Sequence, residues 1–258
     1  MQQTKKVKNG PYKWFFKRFF DILISLIATI ILFPIMILIY ILSLIILRGN
    51  PIFKQYRPGK NNKIFPMYKF RSMTNKKDKD GNLLPDKDRI TKWGKILRKT
   101  SLDELPQLFN ILKGDMSIVG PRPRLIKDII FYDEAVLQAN NVRPGIAGPA
   151  QVYDPGSEQS WENVFKRDIE YSQNITFWND LKLFFGTFLA VFKHRSASGA
   201  EKNSKKREYY YADQLLLDNK ITKEQYALGL SEAQRLDRTR QVISYNPKLH
   251  GEETNDNK

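Results

Sequence analysis

Asp103 and Glu104 stand side by side in the segment Ser101-Leu102-Asp103-Glu104-Leu105-Pro106-Gln107-Leu108. Neighbouring residues of a helix point about 100° apart, so both acids cannot face water if Leu102 and Leu105 are buried. At least one acid should then line a cleft. The plainer reading is a capping box, Ser101-x-x-Glu104, in which Glu104 only holds a helix start, and the local pattern by itself favours it. Pro106 has no N–H for the carbonyl of Leu102, which predicts a distorted helix start. The surrounding cations tilt the balance towards chemistry. Arg98 lies just upstream, Arg122 and Arg124 sit among prolines in Gly120-Pro121-Arg122-Pro123-Arg124, and Arg143 opens an Arg-Pro-Gly turn. A guanidinium between prolines has little backbone entropy to lose and suits a phosphate or diphosphate. Carboxylates among so many cations should stay ionised, able to attack phosphorus or bind magnesium.

Other chemistries lack material. There is no cysteine, which excludes disulfides and thiolate zinc sites, and the two histidines, His194 and His250, are late and isolated. Asp78-Lys79-Asp80 and Asp86-Lys87-Asp88 have the Asp-x-Asp form that holds a metal in many nucleotide-sugar glycosyltransferases. Both lie in a charged, apolar-poor stretch, 75–89, and read as solvated loop. The net charge of +16 calls for an anionic partner. Phosphorylated substrates and anionic lipid are favoured over nucleic acid, because the chain also carries a membrane element.

That element is the run 22–47, which contains no charged residue. A straight helix of this length reaches roughly 39 Å, against about 30 Å for a hydrocarbon core. Basic residues crowd both flanks: Lys5, Lys6, Lys8, Lys13, Lys17 and Arg18 before it, then Arg48, Lys54, Arg57, Lys60, Lys63, Lys69 and Arg71 after it. Asp21 is the one acid before Asp78. A single span should carry this bias at one end. With Pro34 mid-run to break the helix, the expectation is a re-entrant helix-break-helix that enters and leaves on the cytoplasmic face, preferred to a kinked span and to a cleaved signal peptide.

Apolar spacing sketches the remaining elements. Short strands fall in 51–73, where Lys69 and Arg71 contact either lipid phosphates or substrate. Two helices meet near residues 99–101, a strand covers 117–119, and helices follow at 125–140, 161–171 and 176–193. The last of these has an aromatic face that suits either a core or a membrane interface. From residue 196 the chain turns polar, with a short helical pair at 209–217 and 222–240 and a disordered acidic end. Residues 215–230 faintly resemble small helical oligomerisation modules, which leaves a homo-oligomer open, but a solvated appendage is the favoured reading. The domains expected are 1–50, a basic N-terminus and membrane helix; 51–195, catalytic; and 196–258, an extension. The fold class is α/β, α-rich.

Several blocks in order resemble the bacterial sugar transferase family, the monotopic polyprenyl-phosphate phosphoglycosyl transferases: Lys17-Arg18-Phe19-Phe20-Asp21, Tyr68-Lys69-Phe70-Arg71-Ser72-Met73, the acid segment, Lys113-Gly114-Asp115-Met116-Ser117-Ile118-Val119-Gly120-Pro121-Arg122-Pro123 and Arg143-Pro144-Gly145-Ile146. The resemblance implies transfer of a sugar 1-phosphate from a UDP-sugar to undecaprenyl phosphate, with release of UMP, at the cytoplasmic face of a bacterial inner membrane. It places the nucleophile at Asp103 and its acidic partner at Glu104, with Mg2+ as cofactor held by this pair. It places phosphate or nucleotide contacts at Arg98, Arg122 and Arg143, and adds interfacial helices to the catalytic domain. Two positions depart from the family pattern. Phe33 precedes Pro34 where serine is usual, leaving Thr29 or Ser25 to relieve the broken backbone, and Gly148 is followed by Pro149 where tryptophan is usual. Two rival readings are a metal-dependent glycosyltransferase that releases UDP and a non-enzymatic basic membrane scaffold.

Overall fold

The computed structural model describes residues 10–153, 160–197 and 210–250. Lys5, Lys6, Lys8, Gly156 and the acidic end lie outside them. The elements in order are α1 (Lys17–Leu47), preceded by a π-helical turn (Tyr12–Phe16), then β1 (Ile52–Pro58), β2 (Ile64–Phe70), α2 (Asp86–Arg89), α3 (Lys92–Thr100), α4 (Gln107–Lys113), β3 (Ser117–Val119), α5 (Ile126–Ile129), α6 (Glu134–Leu137), β4 (Gly145–Ala147), α7 (Pro149–Tyr153), α8 (Trp161–Gln173), α9 (Phe177–Ala197), α10 (Tyr211–Leu217) and α11 (Lys223–Thr239). The fold is mixed α/β and rich in helix. The chain divides into two compact units that are discontinuous in sequence. One comprises Met1–Phe20, Tyr56–Phe65 and Asp115–Lys258, the other Asp21–Gln55 and Pro66–Gly114.

The smaller unit is organised around α1, the one helix among the described residues long and apolar enough to cross a membrane. Only a narrow stripe of it is buried: Asp21, Ser25, Thr29, Met36, Ile39, Ser43 and Leu47. The remaining surface is exposed isoleucine, leucine and phenylalanine, as lipid contact requires. Met36 and Ile39 pack with Phe70 of β2 and Leu97 of α3, and Trp93, Leu102 and Leu105 close round them. Polar pins fix the contact: Trp93 Nε1 donates to Ser43 Oγ at 2.8 Å and Arg71 Nη2 to the carbonyl of Leu47 at 3.2 Å. Helix α1 continues through Pro34, so the expected break into two helices is not seen as a change of secondary structure. One missing N–H removes one rung, and the rungs on either side hold. Nor does Thr29 relieve the proline. Its hydroxyl donates to the carbonyl of Ser25 at 2.7 Å, while Ser25 Oγ is buried without a partner.

In the larger unit β3 and β4 pair in parallel, with Ser117 beside Gly145 and Val119 beside Ala147. Their core joins Val119, Val142 and Ala147 to Tyr171, Ile175 and Leu183 of the α8–α9 region. Lys17, at the start of α1, donates to the carbonyl of Val119 at 2.9 Å and pairs with Asp180, whose carboxylate also accepts from Tyr12 and Tyr171. A second core is built on Ile126 and on residues 129–132. The single helix expected over 125–140 is interrupted there, because Asp133 caps a new helix by accepting from Val136 N at 2.8 Å. Residues 210–250 are no solvated appendage: Ala212, Ala233, Leu236, Ile243 and Leu249 belong to this second core. Leu183 of α9 faces the strand core, while on its outer side Phe177, Trp178, Phe184, Phe185 and Leu189 are exposed, Trp178 to 75%.

Gly94 shows how tightly the smaller unit is closed. A Cβ there would lie 1.8 Å from the carbonyl oxygen of Ser72, which is backbone and cannot turn away. Gly94→Ala should therefore lose about 3 kcal/mol through overpacking. Thermal unfolding of the detergent-held protein should show a midpoint lower by roughly 6–12 °C.

Candidate active site

Helix α3 ends at Ser101, which adopts the left-handed conformation (φ 58°) and whose N–H closes on the carbonyl of Arg98 at 3.3 Å. A non-glycine residue there is strained. The turn it makes throws the chain into a single 3-10 turn, Leu102–Glu104, before Pro106 leads into α4. The capping box expected from Ser101 and Glu104 is not formed, because the serine side chain caps nothing in this turn. Glu104 instead accepts from Lys69 Nζ of β2 at 2.7 Å, with both side chains about four-fifths buried. Asp103 turns inward and is 9% exposed. The adjacent acids thus take different surroundings, as the leucines on either side of them demanded.

The floor under this pair is held by polar contacts to β2. Asn110 of α4 is fully buried, accepting from Tyr68 N at 3.1 Å and donating to the carbonyl of Pro66 at 2.7 Å. Arg98 Nε donates to Ser72 Oγ at 2.9 Å. Tyr68 and Lys69 are thereby locked to the helices that carry Arg98, Asp103 and Glu104. Asn110 did not stand out in the sequence, since a single polar residue among apolar ones carries no spacing signal.

Burial is the largest influence on Asp103 and raises its pKa above the ordinary carboxylate value; Glu104 raises it further, while Lys69 and Arg98 pull the other way. Desolvation outweighs two cations when one of them is already paired with Glu104. The result is a carboxylate more basic than usual, which makes its ionised form the better nucleophile.

The remaining expected site residues are placed as follows. Lys69, Arg98, Asp103 and Glu104 come together in the smaller unit. Arg71 belongs to the same unit but is turned to the C-terminus of α1, where a cation suits the helix dipole. Arg122 and Arg143 belong to the larger unit, where the strand pair brings their loops side by side: Gly120 N donates to Ala147 O at 2.9 Å and Gly145 N to Pro121 O at 3.0 Å. Arg57 had been read only as a flanking charge. It is largely buried, and Nη1 lies 3.4 Å from the carbonyl of Pro123, bracing the Arg122 loop from below. Of the Asp-x-Asp pairs, Asp78 Oδ1 accepts from Asp80 N and Asn82 N in a local turn, and Asp86 pairs with Arg89. Asp78 is thus committed to a turn, and Asp86 to a short helix where a loop was expected.

One long, exposed apolar helix, a helix-rich α/β fold and an acid pair set among cations are the features a membrane-associated protein acting on anionic groups would need. The chain belongs to the bacterial sugar transferase family, whose profile matches residues 12–194. It is 46% identical over 171 residues to the uncharacterized sugar transferase EpsL of Bacillus subtilis, an alignment covering 65% of this chain and 82% of that protein. It is 39% identical over 191 residues to a UDP-glucose:undecaprenyl-phosphate glucose-1-phosphate transferase of Klebsiella pneumoniae, covering 70% of this chain and 41% of the relative. An undecaprenyl-phosphate galactose phosphotransferase of Salmonella typhimurium is 38% identical over 202 residues, with 71% and 42% covered. The chain thus spans most of EpsL but about two fifths of those two relatives of stated activity.

The direction of the Asp103 shift has a consequence for stability. A carboxyl whose folded pKa is raised contributes stability that is complete below its unfolded pKa and is lost as pH rises through the folded pKa. Above that folded pKa the ionised, buried Asp103 therefore opposes folding. Asp103→Asn should raise the melting temperature there, and the gain should shrink as pH falls through the folded pKa. Thermal unfolding of both proteins across that range checks the sign.

Proposed function

We propose that this chain transfers a sugar 1-phosphate from a UDP-sugar to undecaprenyl phosphate and releases UMP, in two displacements through Asp103. The observation that carries this is the inward-turned, desolvated Asp103 beside the Glu104–Lys69 pair and Arg98. Its family and the stated activities of its relatives support the same reading. In the first displacement an ionised Asp103 oxygen attacks the phosphorus that bears the sugar. The P–O bond to the bridging oxygen breaks, and UMP leaves with that oxygen and its electron pair. In the second, a phosphate oxygen of the lipid attacks the same phosphorus. The bond to Asp103 breaks, and the carboxylate returns to its starting state. Lys69 keeps Glu104 in place and offsets its charge, so the substrate diphosphate meets a neighbourhood that is not wholly anionic. Arg98, Arg122 and Arg143 supply guanidiniums for phosphate oxygens.

Asp103 and Glu104 also fit Mg2+, which commonly takes one or two carboxylates and completes its shell with water and substrate phosphate. Such an ion would neutralise charge developing on the leaving UMP. No group of three or more acidic, histidine or cysteine side chains exists among the described residues. That suits an ion delivered with the nucleotide better than a resident protein cage.

For α1 the reading is re-entrant, with both ends at the cytoplasmic face of the inner membrane. Besides the symmetric basic flanks, each end is tied to folded chain: Lys17 to Asp180 and Val119 in one unit, Ser43 and Leu47 to Trp93 and Arg71 in the other. A single span would leave one of these ends across the bilayer. The described residues hold no second such helix to bring the chain back. Reporter tags at the two termini should both respond as cytoplasmic, and a periplasmic response at either end would restore the single span.

The reaction is tested by incubating the detergent-held protein with undecaprenyl phosphate, magnesium and a panel of UDP-sugars. UMP should appear with at least one donor and cease on chelation. Asp103→Asn should lower turnover by roughly 10⁴-fold or more. With donor but no acceptor, the parent should gain the mass of one sugar phosphate, and the variant should not. Release of UDP would instead favour an ordinary glycosyltransferase.

A further inference from the structure

The family match ends at residue 194, yet residues 210–250 are bound into the larger unit by polar hooks as well as by the shared core. Ala212 N donates to Asp128, which is 2% exposed, at 3.2 Å. Lys127 Nζ reaches Asp213 at 3.2 Å and lies 3.9 Å over the ring of Tyr210; Tyr226 Oη in turn donates to Asp213 at 2.6 Å. Gly229 of α11 sits so close to Phe131 that a Cβ there would meet the ring at 2.2 Å. A second hook reaches the β1 region. Ile243 N donates to the carbonyl of Asn62 at 3.1 Å, and the Arg240 guanidinium stacks 4.7 Å from the ring centre of Tyr56.

These two grips fall on the two segments that frame the Arg122 loop. Tyr56 is next to Arg57, which reaches the carbonyl of Pro123, and Lys127 and Asp128 follow directly on Arg124. The loop and its brace carry three guanidiniums, Arg57, Arg122 and Arg124; Arg122 and Arg124 both act on Arg57 as like charges, and Asp168, 3.7 Å from Arg124, offsets only part of this charge. Burial, together with Arg122 and Arg124, pushes the Arg57 pKa down to about 10, and Asp128 opposes the fall. A loop loaded in this way spreads unless its two supports are held together.

We infer that residues 210–250 act as a clasp that positions Arg122: by gripping Tyr56 and Lys127–Asp128 together, they hold Arg57 under Pro123 and fix how the loop presents its arginine to a substrate phosphate. This rests on the reading of Arg122 as a phosphate contact. The residues of the clasp are positioning residues and need not touch substrate. Chains matched by the family profile alone would have to hold this loop by other means.

The test is a double-mutant cycle on the full-length protein, with UDP as the probe and its dissociation constant read by calorimetry. The double substitution Asp213→Ala and Tyr226→Phe loosens the surface hook without entering the core. It should weaken UDP binding about tenfold, the scale of one charge-assisted hydrogen bond. It should also speed release of a C-terminal fragment in limited proteolysis, and Asp213→Asn, which keeps an acceptor for Tyr226, should restore most of the affinity. Arg122→Gln should weaken binding as well, and adding the hook substitutions to it should cause little further loss, because both act through one contact. Faster proteolysis with unchanged affinity, or losses that simply add, would make the extension a stabilising appendage and overturn the clasp. If Arg122→Gln by itself leaves UDP affinity unaltered, the phosphate role of Arg122 fails, and the clasp with it. Gly229→Leu, which wedges α11 away from Phe131, offers a stronger loosening to compare with the hook variant.

Discussion

Helix α1 leaves most of its apolar surface exposed and touches protein only along a narrow line, and that line decides what the smaller unit becomes. Seven residues of α1 are buried, and four of them, Asp21, Ser25, Thr29 and Ser43, are small or polar rather than bulky and apolar. The apolar effect gives no net drive between two surfaces that lipid would also cover, so close packing and directed hydrogen bonds must hold the line. The Trp93–Ser43 bond and the Arg71 contact to the end of the helix supply that direction. Phe70 and Leu97 are the partners of Met36 and Ile39; they belong to β2, which carries Lys69, and to α3, which leads into the acid pair. The long apolar helix and the acid pair therefore share one small core.

The acid pair is a case of two neighbours given unlike roles by their surroundings. Glu104 is paired with Lys69. Asp103 is desolvated and feels Glu104 as well, so its basicity rises even with Lys69 and Arg98 nearby. The left-handed Ser101 ends α3 and starts the 3-10 turn that carries both acids. Strain and desolvation both oppose folding. They are tolerated because Asn110 and Arg98 tie the surrounding backbone and side chains to β2.

The larger unit meets the opposite problem. Its loops gather guanidiniums rather than acids, and a parallel pair of three-residue strands is too slight a scaffold to restrain them. Packing from elsewhere makes up the difference. Helices α8 and α9 cover the strands, the network of Lys17, Tyr12, Tyr171 and Asp180 closes on the carbonyl that precedes Gly120, and α10 and α11 seal the second core. What looked in sequence like a polar tail is in fact wall.

The sequence by itself determined the elements and the chemistry on offer. A charge-free run between basic flanks announces the membrane helix, period 3.6 marks the helices around Trp93 and Leu97, and a doublet of acids near proline-set arginines points to phosphate. These signals are local in the chain, and local physics writes them. Tertiary structure decided everything that depends on who is buried beside whom: that Ser101 turns left-handed instead of capping, that Glu104 takes Lys69, that burial outweighs the cations at Asp103, and that Arg71 closes a helix. It also decided that Ala212, Leu236 and Leu249 are core, although the residues around them are polar enough to pass for an appendage. Desolvation and long-range pairing are properties of an assembled interior, and no spacing of residues along a chain encodes them in readable form.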